Sequence, residues 1–138
     1  MELRFAHLAD YAAQDASGKL TIVGVFDAVL DRLRVRPIPF PRCTLVAKLT
    51  GSLGDGPDHK LRIELRDPDE RVVVTVIEGH VKFTPSGPGH PIGAQMILEF
   101  ASRALEVPEV GDYRFCFFLD EQQVGDLLVS VLEQPSVG

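Results

Sequence analysis

Apolar and polar residues alternate with period two along most of the chain, and no stretch sustains the 3.6-residue period of a helix. Over residues 3–13, Phe5, His7, Ala9 and Tyr11 fall on one side and Arg4, Ala6, Leu8 and Asp10 on the other. After Asp15-Ala16-Ser17-Gly18, read as a four-residue type I turn, the alternation resumes over Leu20–Asp27. That turn length aligns Phe5, His7, Ala9 and Tyr11 with Leu20, Ile22, Gly24 and Phe26 as one apolar face, and sets Asp10 opposite Val23. Further strands are expected at 43–50, 59–67, 71–83, 94–101, 104–107, 112–120 and 123–133. The cleanest is 59–67, with Leu61, Ile63 and Leu65 inward and Lys60, Arg62, Glu64 and Arg66 outward. Segment 28–41 reads as strand or a turn of helix near 27–34; Pro37, Pro39 and Pro41 forbid a long helix. Residues 51–58 and 84–93 read as loops.

Many short strands between Gly, Pro and Asp turns predict an all-β chain: an immunoglobulin-like antiparallel β-sandwich of about eight to ten strands, one domain over residues 1–138. Gly111-Asp112-Tyr113, opening a late strand, resembles the tyrosine corner of such sandwiches. The core of 71–77 is apolar on both faces: Val72, Val74 and Val76 on one, Val73, Thr75 and Ile77 on the other. A two-layer sandwich buries one face of each sheet, so an outward row there predicts self-association as a dimer.

Composition narrows the function. The chain is 45% hydrophobic and 25% charged, as in ordinary globular proteins, and no apolar run approaches the ~18 residues of a membrane span. Its opening, Met1-Glu2-Leu3-Arg4-Phe5, has neither a basic n-region nor a long apolar h-region, so a cytoplasmic protein is expected. Fourteen basic against twenty acidic side chains repel a phosphate backbone, and neither nucleic acid nor membrane is expected as a partner. Residues 1–50 carry seven basic and five acidic groups, residues 51–138 seven and fifteen. Arg32, Arg34 and Arg36, at a spacing of two, share one side of an extended segment near Arg42: an anion site, or more simply a charged edge that discourages strand pairing.

Catalytic patterns are missing. His7, His59, His80 and His90 form no HxH or HxxxH pair and no CxxC is present, so no metal or other cofactor is expected. His7 reads as a core imidazole. Ser17, Ser52, Ser86, Ser102, Ser130 and Ser136 lie outside GxSxG and SxxK contexts, and the glycine loops lead into strands, not helices. Asp10 and Asp27 lie ~13 Å apart along the strand in the register above, too far for a glycosidase pair. Asp67-Pro68-Asp69 is explained by turn chemistry without calcium. Cys43 and Cys116 read as free buried thiols; a bridge between them would follow the immunoglobulin inter-sheet disulfide, but there is no Trp to pack on it.

The text Ala9-Asp10-Tyr11-Ala12 … Gly18-Lys19-Leu20-Thr21-Ile22-Val23-Gly24-Val25-Phe26-Asp27 resembles a family of small bacterial proteins known only as a domain of unknown function. The resemblance continues through Leu65-Arg66-Asp67-Pro68-Asp69, the loop near 85–93 and Gly111-Asp112-Tyr113. It implies a cytoplasmic β-sandwich with no assigned activity and no catalytic residues to carry over, and it draws attention to Asp10, Tyr11, Lys19 and Asp27. The candidate binding residues are these four with Arg32, Arg34 and Arg36. The expected role is a non-enzymatic binding or assembly module, pairing with itself or another protein. The alternative is a small hydrolase or metal-dependent enzyme with a site assembled from loops, which a convergent His/Asp cluster in a deep pocket would favour.

Overall fold

The computed structural model of the chain describes residues 1–87 and 89–135; Pro88, in the loop expected at 84–93, and Ser136, among the serines considered above, lie outside the described residues. In chain order the strands are β1 (Glu2–Gln14), β2 (Leu20–Phe26), β3 (Ala28–Asp31), β4 (Ile38–Pro39), β5 (Cys43–Gly51) and β6 (Asp58–Arg66). They continue with β7 (Val72–Lys82), β8 (Thr84–Pro85), β9 (Ile92–Phe100), β10 (Glu106–Val107), β11 (Gly111–Leu119) and β12 (Gln122–Glu133). Twelve strands exceed the expected range because β4, β8 and β10 are two-residue pieces. The one helical turn among the described residues is a 3-10 turn at Leu53–Asp55, and 27–34 has none: Ala28–Asp31 is strand.

The fold is an all-β sandwich. One sheet runs β2-β1-β5-β9-β8, the other β3-β12-β11-β6-β7, and β10-β4 is a separate ribbon. The ladders are antiparallel except one: β3 pairs parallel with β12, so the second sheet is mixed, contrary to the antiparallel expectation. Parallel partners are joined through distant chain, and local alternation carries no sign of them. Cys43, Leu45, Ala47 and Leu49 from one sheet face Leu61, Ile63, Leu65, Phe115 and Phe117 from the other, all buried. Tyr113 is buried, and its hydroxyl donates to the Glu109 carbonyl at 2.6 Å, the back-bond of a tyrosine corner.

Three local expectations are corrected. The first hairpin pairs Tyr11 with Val23 and Ala9 with Val25, one residue off the expected register. The Asp15 amide donates to the Lys19 carbonyl, leaving a three-residue loop that ends on Gly18 at φ +87°, and the loop length sets the register. Tyr11, Val23 and Val25 therefore share an outward, exposed face, while Leu8 turns to the core with Phe26 beside it. His7 is half-buried on that outer face, stacked on Phe5 at 5.8 Å, and not in the core. Strand β7 carries two register shifts against β6, which break its alternation: Val73, Val76 and Ile77 pack on the core while Val72 and Val74 are exposed.

The first hairpin does not run straight. β1 pairs with β5 only as far as Ala9, yet the Gly18 carbonyl accepts from Gln95 Nε2 on β9 at 2.9 Å. Through the ladders Gln95 lies level with Phe5, so a straight arm would carry its tip ~30 Å away. The arm bends back across the sheet, over a face where Val46 and Ala9 are fully buried.

Both cysteines are free and buried, Cys43 in the core and Cys116 on the outward face of the second sheet, so the disulfide alternative is excluded. Burial pushes the Cys43 thiol up to about 11, with the Asp10 charge adding to it, and burial also raises Cys116. Native protein is expected to react with a thiol reagent far more slowly than denatured protein, which should titrate two equivalents. Tyr113→Phe leaves the Glu109 carbonyl without its donor and is expected to cost about 1 kcal/mol in urea unfolding, with the fold retained. An unchanged midpoint would show that the corner bond contributes nothing.

Candidate functional site

The chain crosses between sheets within one residue: β2 ends at Phe26, β3 begins at Ala28, and the Ser130 amide donates to the Asp27 carbonyl at 2.9 Å. Beside this crossing lies a cleft of about 640 Å³, within the range of ligand and peptide sites. One wall is residues 28–33, β3 and its continuation; a second is Gly24, Val25 and Phe26 of β2; the third is Ile38 to Pro41. Ile38 and Phe40 are almost wholly buried between prolines, and Phe40 is held by backbone bonds with Leu105 (2.8 Å) and Arg103 (3.1 Å). Arg103, at φ +68°, and Ser102 complete the rim.

Of the residues singled out from the sequence, Asp10 and Arg32 line this cleft. Asp10 sits against Gly24, which adopts φ +72°; a Cβ there would lie 2.8 Å from the Asp10 carboxyl carbon, so the notch exists only because residue 24 is glycine. Tyr11 points outward from β1 and is 52% exposed. Lys19 and Asp27 flank β2 at its two ends, both exposed. The arginines do not share one side. Arg36 binds the buried Asp31 at 2.8 Å and Glu109 at 3.2 Å, and Arg34, at φ +53°, donates to the Gln134 carbonyl. Ile38, Phe40 and Arg103 escape the sequence reading, as does the place of Ser102, because no local pattern brings them together; a Phe between two prolines is the one local signal that could have marked a buried anchor.

Chemistry for catalysis is thin. Among the described residues no group of three His, Cys, Asp or Glu side chains is placed to hold a metal. Asp31 in the cleft is occupied by Arg36 and by the Arg34 amide. The most enzyme-like pair lies elsewhere, at the β11–β12 turn: His59 Nδ1 is 2.6 Å from Asp120 Oδ2. Its Nε2 faces the Gly56 carbonyl at 2.8 Å, so both ring nitrogens meet acceptors and none is left for a substrate. This geometry suits an imidazolium that donates from both nitrogens, and it makes the pair a structural pin.

A family model described as a family of unknown function (DUF6941) matches residues 4–132. No curated protein matches the chain. Among the described residues no helix is long and apolar enough to cross a membrane.

The pin makes stability depend on pH. Burial pulls the His59 pKa down, but the bonds to Asp120 and the Gly56 carbonyl outweigh it and hold the imidazolium above its usual value. A raised folded value means that the stabilisation is complete below the unfolded value of ~6.5 and is lost as pH rises through the folded one. Urea midpoints of the wild type should therefore fall from pH 6 to pH 9 (a range spanning that titration), and the fall should shrink in His59→Gln. A parallel decline in both proteins would remove His59 as its source.

Proposed function

Because the chain belongs to the DUF6941 family of unknown function, we propose from its own geometry that it is a non-enzymatic binding module that takes an extended apolar segment of another protein into the cleft along β3. One observation carries this reading. Six successive residues, 28–33, line the cleft, odd and even alike. Side chains of a strand alternate between faces, so a ligand site that meets every residue runs along the strand's edge. β3 is the end strand of its sheet, with its other side paired to β12. Apart from the Leu30 carbonyl, which accepts from the Arg32 amide, its outward backbone groups are a short template for one more strand, and Phe26, Leu33, Phe40 and the prolines supply apolar side walls. At the rim the Arg32 and Arg103 side chains have no ion-pair partner among the described residues, which suits a segment with an acidic side chain beside the apolar ones.

The same reading places the chain in a reducing bacterial cytoplasm, for which the two buried free thiols speak, and takes the sandwich as immunoglobulin-like, on the strength of the tyrosine corner. Neither nucleic acid nor membrane is part of it. The hydrolase alternative gains no observation: the cleft lining contains no histidine or cysteine.

A displayed library of random peptides selected against the chain should yield extended apolar sequences with an acidic residue. Adding a selected peptide should shift amide resonances of residues 24–33 and slow hydrogen exchange on β3. Leu33→Asp, at an exposed cleft position, should weaken that peptide about tenfold without unfolding the protein. Selected peptides that perturb another face, or bind Leu33→Asp equally well, would refute the site.

A further inference from the structure

Each five-stranded sheet has two end strands. β3 is the edge that lines the cleft and is assigned to its ligand above, and two of the other three are blunted: β7 is broken by two register shifts and ends in Glu78, His80 and Lys82, and β8 has two residues, one of them Pro85. These are the ordinary protections of a sheet edge. β2 has none of them. Its seven residues, Leu-Thr-Ile-Val-Gly-Val-Phe, contain no charge and no proline, and its ladder with β1 keeps one register on both sides of Gly24, the one residue whose backbone leaves the extended region, at φ +72°. Val23 is 52% exposed and Val25 58%. An unprotected apolar edge in a protein that stays in solution is expected to be covered.

We propose that β2 is covered by β2 of a second copy of this chain, antiparallel about a two-fold axis at Val23, joining the first hairpins of the two copies edge to edge. The pattern around Val23 is self-complementary. Antiparallel pairing about that residue sets Thr21 opposite Val25 of the second copy, Ile22 opposite Gly24 and Leu20 opposite Phe26. The bulky Ile22 thus meets the residue with no side chain. One step further out, Lys19 falls opposite Asp27 of the second copy, at both ends of the pair. Neither side chain has an ion-pair partner within its own chain among the described residues, and both are exposed. Any shift of register loses both charge pairs at once. Val23, Val25 and the neighbouring Tyr11 lie on one face; across the axis Val23 meets its own copy and Val25 meets Thr21 of the second copy. The chain carries a net charge of −6, so two copies repel at long range. An uncharged strand ending in one positive and one negative group is the edge on which that repulsion is least.

Sedimentation equilibrium of the full chain should show a species of twice the 15.2 kDa monomer mass, dissociating on dilution. Val23→Lys places two ammonium groups on the axis and should leave a monomer with unchanged circular dichroism, since Val23 is an exposed position of the monomer. Lys19→Asp or Asp27→Lys alone sets like charges opposite each other twice and should raise the dissociation constant about tenfold or more. The two together in one chain exchange the signs and should restore wild-type association. A wild-type chain that stays monomeric up to about 100 μM overturns the proposal, including the case in which β2 pairs with another protein. So does a dimer indifferent to Val23→Lys. A dimer that Val23→Lys dissociates but that the double reversal fails to restore overturns the register.

Discussion

The crossing at Asp27 constrains everything around it. Stacked sheets lie ~10 Å apart and the two steps from Phe26 to Ala28 span at most ~7 Å, so the layers must converge at this corner. The chain leaves β2 at Phe26 and enters β3 at Ala28 still running in the same sense, which makes β3 lie parallel to β12. The Ser130 amide on the Asp27 carbonyl holds the corner. Two consequences follow. Both sheets begin with an end strand on the same side of the molecule, and the gap between the layers is filled from outside, by Ile38–Pro41 and the Arg103 turn, leaving the cleft.

Where alternation has a buried face to answer to, it was legible. Leu61, Ile63 and Leu65 are inward as read, because one side of β6 faces the core and the other solvent. The tyrosine corner was legible from three residues. What failed depended on events that period two does not encode. The first hairpin slipped by one residue because Asp15 joins the ladder instead of the loop, and β7 lost its phase at two shifts where it bends along the edge. The parallel β3–β12 pair lies across a hundred residues, and nothing local to either strand announces it. The candidate residues divide on the same lines. Asp10, Lys19 and Asp27 mark the notch and the two ends of β2, while Arg34 and Arg36, which looked like a surface, are consumed by the turn they stabilise.

The outward face of the second sheet shows how much charge the chain binds internally. Glu64 is buried beneath Arg62 (2.6 Å) and Arg66 (2.9 Å), and both guanidinium groups lie over the Phe118 ring, at 4.4 and 5.2 Å. Burial alone would raise the Glu64 pKa, but the two arginines hold it below its ordinary value. An aromatic ring on an outer face is thereby covered by charged side chains whose stems and planes are apolar enough to pack on it. Phe118 is thus hidden without a partner, while Leu30, Leu128 and Leu132 stay exposed on the β3–β12 side of the same outward face.

The β11–β12 turn shows the same economy at higher strain. A two-residue hairpin loop with positive φ at both positions favours Asn-Gly, yet the chain has Asp120 at +51° and Glu121 at +69°. Each side chain is engaged. Asp120 takes the His59 imidazolium and the Lys60 amide, and Glu121 takes Lys60 at 2.7 Å and Arg62, which draw its carboxyl down to about 2. Arg62 is also the cover of Glu64 and Phe118. The strained turn, the buried histidine and the charged lid of the second sheet are thus one network, carried by β6, three strands away from β3 and the cleft. That separation leaves the β2–β3 corner, among the described residues, with no ion pair beyond those of Arg36 to Asp31 and Glu109, so its remaining charged groups, Asp10, Asp27, Arg32 and Arg103, are the ones that no internal ion pair accounts for.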